Sequence, residues 1–303
     1  MLYTLNSLFV ILLLIISMTF YSLLERKVLG YIQIRKGPNK VSIIGIPQPL
    51  ADALKLFRKE VNFPYKSNYL IFILMPIVSL LLALLLWNVY PRDFSYSYMS
   101  YGLLFFFCVR RLNVYLVLGS GWFSNSKYSL LGSLRSVAQT ISYEIRIILI
   151  LISCVSIYKS YDINFICTSY GLFFMFRLVL FYSWFISILA ETNRAPFDFV
   201  EGESELVSGF NIEFRGGLFA FIFMAEYLNI IFIRLLTYVF FFSLNFSYFN
   251  FVVIILVVSF FSFCFLWIRG SYPRIRYDKL IILTWKSFIP MRISLLVLYS
   301  NIL

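Results

Sequence analysis

Long apolar runs broken by short polar ones dominate the chain. A helix needs about 20 apolar residues to cross a hydrocarbon core about 30 Å thick, and eight stretches qualify: Leu2 to Leu24, Tyr69 to Val89, Tyr101 to Gly121, Leu130 to Tyr158, Ser169 to Ala190, Gly216 to Leu244, Phe249 to Ile268 and Leu280 to Leu298. The fourth and sixth are 29 residues each, so tilt or protrusion is expected of them. No internal repeat and no soluble domain interrupts the series. The predicted fold class is an all-α integral membrane protein with eight transmembrane helices, a single membrane domain over residues 1–303. The N-terminus has no basic n-region, small-residue cleavage site or Arg- and Ser-rich presequence, so Leu2 onward is expected to be a retained first span.

Eight spans put both termini on one side and the loops after spans 1, 3, 5 and 7 on the other, namely 25–68, the short turn holding Lys127, 191–215 and 269–279. That second side collects 16 of the Lys and Arg residues, against two on the first, Arg92 and Lys159. The positive-inside bias places it in the cytoplasm or in a mitochondrial matrix. Ten of the 14 carboxylates lie there too, so polar chemistry concentrates at one face.

Composition agrees and narrows the chemistry. Hydrophobic residues make up 61% of the 303, beyond the roughly 45–50% of soluble domains. Lys and Arg number 26 against 14 Asp and Glu, and there is no His. That excludes haem on axial His, a His general base and Ser-His or Cys-His nucleophiles. Cys108, Cys154, Cys167 and Cys264 lie far apart without a C-x-x-C pair, so neither zinc nor an iron–sulfur cluster is signalled. Any redox centre is expected in a partner. The 35 Phe and 22 Tyr beside 13 Gly and 9 Pro are the skew expected of AT-rich organellar codons.

The loop that opens Glu25-Arg26-Lys27 reads, on charge alone, equally well as a solvated stop-transfer cluster. Further on, Leu50, Leu54, Phe57 and Val61 fall at i, i+4, i+7 and i+11, with Asp52, Lys55 and Lys59 on another face. This predicts an amphipathic helix in the interface with Pro near its first turn, either packing on a neighbour or walling an apolar ligand path. In the loop after span 5, six carboxylates fall within 23 residues: Glu191, Asp198, Glu201, Glu203, Glu205 and Glu213. On a helix Asp198, Glu201 and Glu205 share a face, where like charges short of water favour a shared proton. The alternative is an acidic loop in water, against which Phe197, Phe199, Leu206, Val207 and Phe210 interleave the acids.

Ten ionisable groups fall within spans: Arg110, Arg111, Arg135, Glu144, Arg146, Arg177, Glu226, Arg234, Lys286 and Arg292. Each costs about 2.5–3.5 kcal/mol at a helix centre on insertion scales, so each should face protein, water or a headgroup. Glu144 and Glu226 lie near mid-membrane and are proton-relay candidates. Arg135, Gln139, Ser142 and Arg146 form one helical stripe, with Glu144 about 180° round from Arg135. Glu144 is therefore expected to share a pocket with Glu226 or the acidic loop, unless it is a structural ion pair to another helix.

At these residues the chain resembles the subunit 1 family of respiratory complex I, the proton-pumping NADH:ubiquinone oxidoreductase, in its mitochondrially encoded form. The resemblance rests on Gly45-Ile46-Pro47-Gln48-Pro49-Leu50-Ala51-Asp52-Ala53-Leu54-Lys55-Leu56-Phe57-Arg58-Lys59-Glu60 and on Pro196-Phe197-Asp198-Phe199-Val200-Glu201-Gly202-Glu203-Ser204-Glu205-Leu206-Val207-Ser208-Gly209. Glu25-Arg26-Lys27, the stretch from Asn125 to Glu144, Met224-Ala225-Glu226-Tyr227 and Ser271 to Asp278 extend it over nearly the whole chain. It implies a subunit that joins the peripheral redox arm to the membrane arm, lines the ubiquinone access tunnel and starts a chain of buried carboxylates. Implied tunnel residues are Glu25, Arg26, Asp52, Phe57, Phe223, Met224 and Arg274. Implied proton-coupling residues are Glu144, Glu191, Asp198, Glu201, Glu203, Glu205, Glu213 and Glu226. The resemblance further implies ubiquinone as substrate, with NADH, flavin and iron–sulfur clusters in partner subunits. Other implied partners are quinone-site peripheral-arm subunits, adjacent membrane-arm subunits and membrane lipids, with no nucleic acid. The implied location is the mitochondrial inner membrane, loops 25–68, 191–215 and 269–279 facing the matrix.

Arg110 and Arg111 depart from the family pattern, which has small or hydroxyl residues there, and Arg146, Arg177, Arg215 and Arg234 look additional. They are expected to meet acids of neighbouring subunits or lipid phosphates. Two other readings stay open: the membrane anchor of an energy-converting hydrogenase, and a stand-alone secondary transporter, which the missing inverted repeat disfavours.

Overall fold

The apolar runs form helices whose ends are set less by the first charge met than by whether that charge finds a partner. The computed structural model describes residues 2–90, 99–168, 174–198, 209–242 and 250–302. In chain order the helices are α1 (Leu2–Ile32), α2 (Gln48–Arg58), α3 (Tyr69–Leu86), α4 (Gly102–Phe123), α5 (Lys127–Tyr158), α6 (Ile163–Thr168), α7 (Phe174–Glu191), α8 (Gly216–Thr237), α9 (Asn250–Ser271), α10 (Tyr277–Ile282) and α11 (Ile289–Ile302). A π-helical turn, Tyr238–Phe242, continues α8, and another, Leu283–Phe288, joins α10 to α11. Among the described residues there is no strand. Among the described residues seven helices are long and apolar enough to cross a membrane, and Val179–Glu191 is a shorter apolar one.

Several expected boundaries move. The first span runs to Ile32 rather than Leu24, so Glu25, Arg26 and Lys27 stand on a helix, not in a loop. Glu25 is tolerated inside it because Tyr227 and Arg269 hydrogen-bond its carboxylate. The amphipathic helix stops at Arg58, which leaves Val61 outside it. Pro64 follows, and the residue before a proline is driven into extended backbone. The last span begins at Tyr277 and the seventh ends at Ser271, which shortens the loop expected over 269–279.

One end of the bundle gathers the loops expected on the basic side. The Asn68 N–H donates to the Phe123 carbonyl at 3.2 Å, and the Ile275 N–H to the Pro196 carbonyl at 3.1 Å. Gly216, at φ +63°, begins α8 hard against the end of α2: a Cβ there would stand 2.8 Å from the Lys59 carbonyl. Only glycine takes both that backbone and that approach without strain. At the opposite end the Leu103 N–H donates to the Tyr161 carbonyl at 3.3 Å.

Small residues bring α4 and α5 together. Gly119, Ser120 and Gly121 on α4 and Ser129, Gly132, Ser133 and Ser136 on α5 are buried. Seams of this kind let membrane helices approach closely where lipid removes the hydrophobic drive between them. Phe72 of α3 stacks on Phe214 just before α8, rings 4.2 Å apart. Together α3, α4, α5, α7 and α8 enclose the middle of the molecule.

Two buried arginines lie elsewhere in this packing. The Arg146 guanidinium sits 3.7 Å from the centre of the Phe288 ring and donates to the Ser183 carbonyl at 3.2 Å. Arg234 lies between the rings of Tyr21 and Phe265, 4.2 and 5.1 Å away, and hydrogen-bonds the Tyr21 hydroxyl. Each ring contact contributes about 0.5–2 kcal/mol. Arg234 therefore needs no acid from a neighbouring subunit, contrary to the expectation from sequence.

Candidate functional site: an acid cavity joined to a charged helix end

The centre of the bundle holds a cavity of about 90 Å³ lined by residues of α3, α4, α5, α7 and α8. A water molecule takes about 30 Å³ of liquid, so the space suits a few waters if polar groups hold them. Such groups are present: Arg110 and Asn113 from α4, Thr140 and Glu144 from α5, Glu191 and Asn193 at the end of α7, and Glu226 and Asn229 from α8. Pro76 of α3 lines the same wall, and having no N–H it leaves a carbonyl one turn back without its helical partner.

Local sequence explains the convergence. Glu144 stands opposite the stripe through which α5 packs, so that Gln139, Ser142 and Arg146 are buried against other helices while Glu144 reaches the cavity. The Gln139 side-chain amide donates to the Ala190 and Phe197 carbonyls, each at 3.0 Å. Those bonds fix the turn after α7, where the Ala195–Pro196 peptide is cis. They hold Glu191 in the cavity wall and Arg194 within reach of Glu226.

Two cations enter with the acids. Arg110 Nη2 lies 2.9 Å from Glu191 Oε1, with 11% and 5% of those side chains exposed. Arg194 Nη2 lies 3.8 Å from Glu226 Oε2. Glu144 takes part in no ion pair among the described residues. The expectation that Glu144 and Glu226 share a pocket is met. The expectation that Arg110 meets an acid of another subunit is not: its partner is Glu191 of this chain, carried into the bundle by α7 rather than left in a loop.

At the loop-rich end a second cluster forms. Arg26 pairs with Asp52, whose other oxygen accepts from Gln48 at 3.0 Å. Glu25 accepts from Tyr227 and Arg269. Phe57 meets Phe221 edge to face at 6.0 Å, and Phe223 meets Tyr227 at 4.6 Å. Five of the seven expected tunnel residues, Glu25, Arg26, Asp52, Phe57 and Phe223, thus gather where α1, α2 and α8 meet. Met224 is partly buried against the main core. Arg274 lies apart, 3.3 Å from Asp198. The apolar stripe of α2 stays open, with Leu50 62% and Leu54 65% exposed, so it is not consumed by packing within this chain.

Of the expected acids, Glu201, Glu203 and Glu205 lie outside the described residues, so the helical face expected to join Asp198, Glu201 and Glu205 is not described. Glu213 ends a short 3₁₀ turn, Gly209–Glu213, and does not line the cavity.

Arg194 joins the two clusters, and the sequence reading did not single it out. Besides pairing with Glu226, its guanidinium lies 5.0 Å from the Tyr227 ring centre and 5.9 Å from that of Phe223. Consecutive helical residues point about 100° apart: Glu226 faces the cavity while Tyr227 bonds Glu25. Its place between Glu191 and Asp198 in the acidic loop was the available signal.

Known proteins share this chain almost end to end. Residues 5–300 match the family described as NADH dehydrogenase. The protein named NADH-ubiquinone oxidoreductase chain 1 of Aedes aegypti is 48% identical over 299 residues, 98% of this chain and 95% of that one. Its namesake from Locusta migratoria is 49% identical over 302 residues, 99% and 95% of the two chains. The Heterololigo bleekeri protein of the same name is 50% identical over 290 residues, 93% and 91%.

Proposed function

The chain belongs to the NADH dehydrogenase family, and from that premise we propose that it is a membrane subunit of an NADH:ubiquinone oxidoreductase that guides the quinone and couples its reduction to proton movement. Ubiquinone is the substrate, while NADH, flavin and iron–sulfur clusters belong to partner subunits. The setting is the mitochondrial inner membrane, with the loop-rich end toward the matrix, as the charge asymmetry favours.

The observation that carries this reading is Arg194, which touches both clusters. An isoprenoid tail is suited by the open apolar stripe of α2 and by Phe57 and Phe223. A polar quinone head is suited by fixed charges such as Arg26, Asp52 and Glu25. Negative charge arriving on the quinone attracts Arg194 and weakens its hold on Glu226. At the cavity two guanidiniums, Arg110 in its wall and Arg194 beside Glu226, face three carboxylates, Glu144, Glu191 and Glu226. Arg110 and Arg194 neutralise two of them, and a proton on the third restores balance. When Arg194 shifts, Glu226 becomes the next proton acceptor, and waters in the cavity supply the path between it and Glu144.

This reading is tested with a photoreactive ubiquinone analogue on the native enzyme. Adducts on α1, α2 or the first half of α8, suppressed by a quinone-site inhibitor, are expected. Saturable labelling confined to other subunits would contradict the tunnel assignment.

A further inference from the structure

A recess larger than the acid cavity lies at the loop-rich end. It measures about 550 Å³ and opens where the end of α2 meets the start of α8, within the roughly 300–1,000 Å³ usual for small-molecule sites. Leu56, Phe214 and Phe219 give it an apolar floor, and Lys59 and Arg215 stand at it as cations. Glu60 is the acid among its lining residues, and it offsets one of the two positive charges. All three charged groups are exposed, and none forms an ion pair among the described residues.

Depth selects the ligand. The amphipathic α2 is a helix of the kind that lies in a membrane interface, and Lys59 follows its last residue. Arg215 caps α8, a helix long and apolar enough to span. Tyr65 and Tyr69, between the recess and the first turn of α3, are 98% and 60% exposed, and tyrosines favour the boundary between headgroups and hydrocarbon. Phe219 stands about one turn further along α8 than Arg215, so the cations lie at headgroup level and the apolar floor begins just beneath them. A matching ligand carries its negative charge at the surface and acyl carbon below it. Free phosphate would leave the floor bare, and a zwitterionic lipid would bring an ammonium to a recess that is already net positive.

We propose that this recess seats an anionic phospholipid, its phosphate held between Arg215 and Lys59 and the first carbons of its acyl chains against Leu56 and Phe219. Arg binds phosphate by two parallel N–H bonds and Lys binds it as a point charge. The lipid then fastens the end of α2 to the start of α8 from outside, at the close approach that Gly216 permits. Such a seat needs only a membrane at the loop-rich end, so it and the quinone assignment stand or fall separately.

A photoreactive phosphatidylglycerol, added in phosphatidylcholine vesicles to the native enzyme after its bound lipid has been exchanged for detergent, tests the seat. Adducts are expected on residues 56–62 or the first two turns of α8, displaced by phosphatidylglycerol and not by phosphatidylcholine or inorganic phosphate. Lys59→Gln and Arg215→Gln should each bind about fivefold more weakly, the effect of taking one cation from an anionic lipid, while Lys59→Arg should bind as the parent does. Lys55→Gln removes a charge from the same helix outside the recess and should leave labelling unchanged. An equal loss in Lys55→Gln would show diffuse surface attraction and overturn the seat. Displacement by inorganic phosphate, equal affinity for the zwitterionic lipid, or a density map of the native enzyme with a neighbouring subunit filling the recess would overturn it too.

Discussion

Arg146 and Arg234, compared with Arg110 and Arg194, show two ways of keeping a guanidinium inside a membrane protein. The first pair rests on aromatic faces and is held by a backbone carbonyl or a tyrosine hydroxyl. The second pair faces carboxylates beside a cavity large enough for water. Rings and carbonyls do not take up protons near neutral pH, so the first arrangement ties helices together and ends there. Carboxylates do, so the second arrangement exchanges charge with whatever lies along it. A buried charge is therefore no sign of function by itself. A titratable partner and room for water are what separate the two.

The largest effect that would sharpen this contrast is expected at Glu191. Glu191→Gln strands the buried Arg110, and breaking one side of such a pair costs about 3–5 kcal/mol. Thermal unfolding of the purified enzyme should fall accordingly, together with coupled turnover. In the double variant Arg110→Ser, Glu191→Gln most of the lost stability should return while coupled turnover stays low. If activity returned in step with stability, Glu191 would be structural only.

Next in size is Arg234. Arg234→Ala removes the filling between Tyr21 and Phe265 and should destabilise by about 2–4 kcal/mol, as large-to-small core changes do. Arg234→Met keeps the volume without the charge and should be close to neutral in stability, as replacements of buried ions by apolar groups often are. Turnover per assembled enzyme should be unchanged in both. A change in proton stoichiometry in Arg234→Met would erase the distinction between the two kinds of arginine.

Gln139→Leu is a smaller perturbation. It removes both bonds to the turn after α7, leaving the Phe197 carbonyl without the Gln139 donor and the Ala190 carbonyl with only the 3.4 Å bond from the Asn193 N–H, at about 1–3 kcal/mol. The measurement is protease resistance at the turn around Arg194, which should fall while the helices remain protected. The smallest effect is expected at Cys108→Ser, at an exposed position away from the cavity, where turnover should match the parent.

What could be read in advance follows a physical line. Helices long enough to span were legible as apolar runs because length and hydropathy decide insertion. Their ends were not, because α1 continues past a charge that Tyr227, some 200 residues later, satisfies. Glu144 and Glu226 were legible because a carboxylate deep in an apolar run demands a partner or a cavity. The Arg110–Glu191 pair was missed because a loop boundary drawn just before Glu191 kept that acid out of the membrane. Arg194 stood among acids that looked more telling. Periodicity says which face of one helix a residue takes and nothing about which face of another helix it meets.

The central claim is that protons pass through the cavity by way of Glu144, the carboxylate there without an ion-pair partner among the described residues. The most direct test is proton translocation per NADH oxidised by the enzyme carrying Glu144→Gln, reconstituted in sealed vesicles. An amide cannot carry the proton, so coupled turnover is predicted to fall at least about tenfold, the lower end of what a lost proton-transfer group costs. Quinone labelling of the loop-rich end should persist in the same preparation. Parental turnover with parental proton stoichiometry would contradict the account.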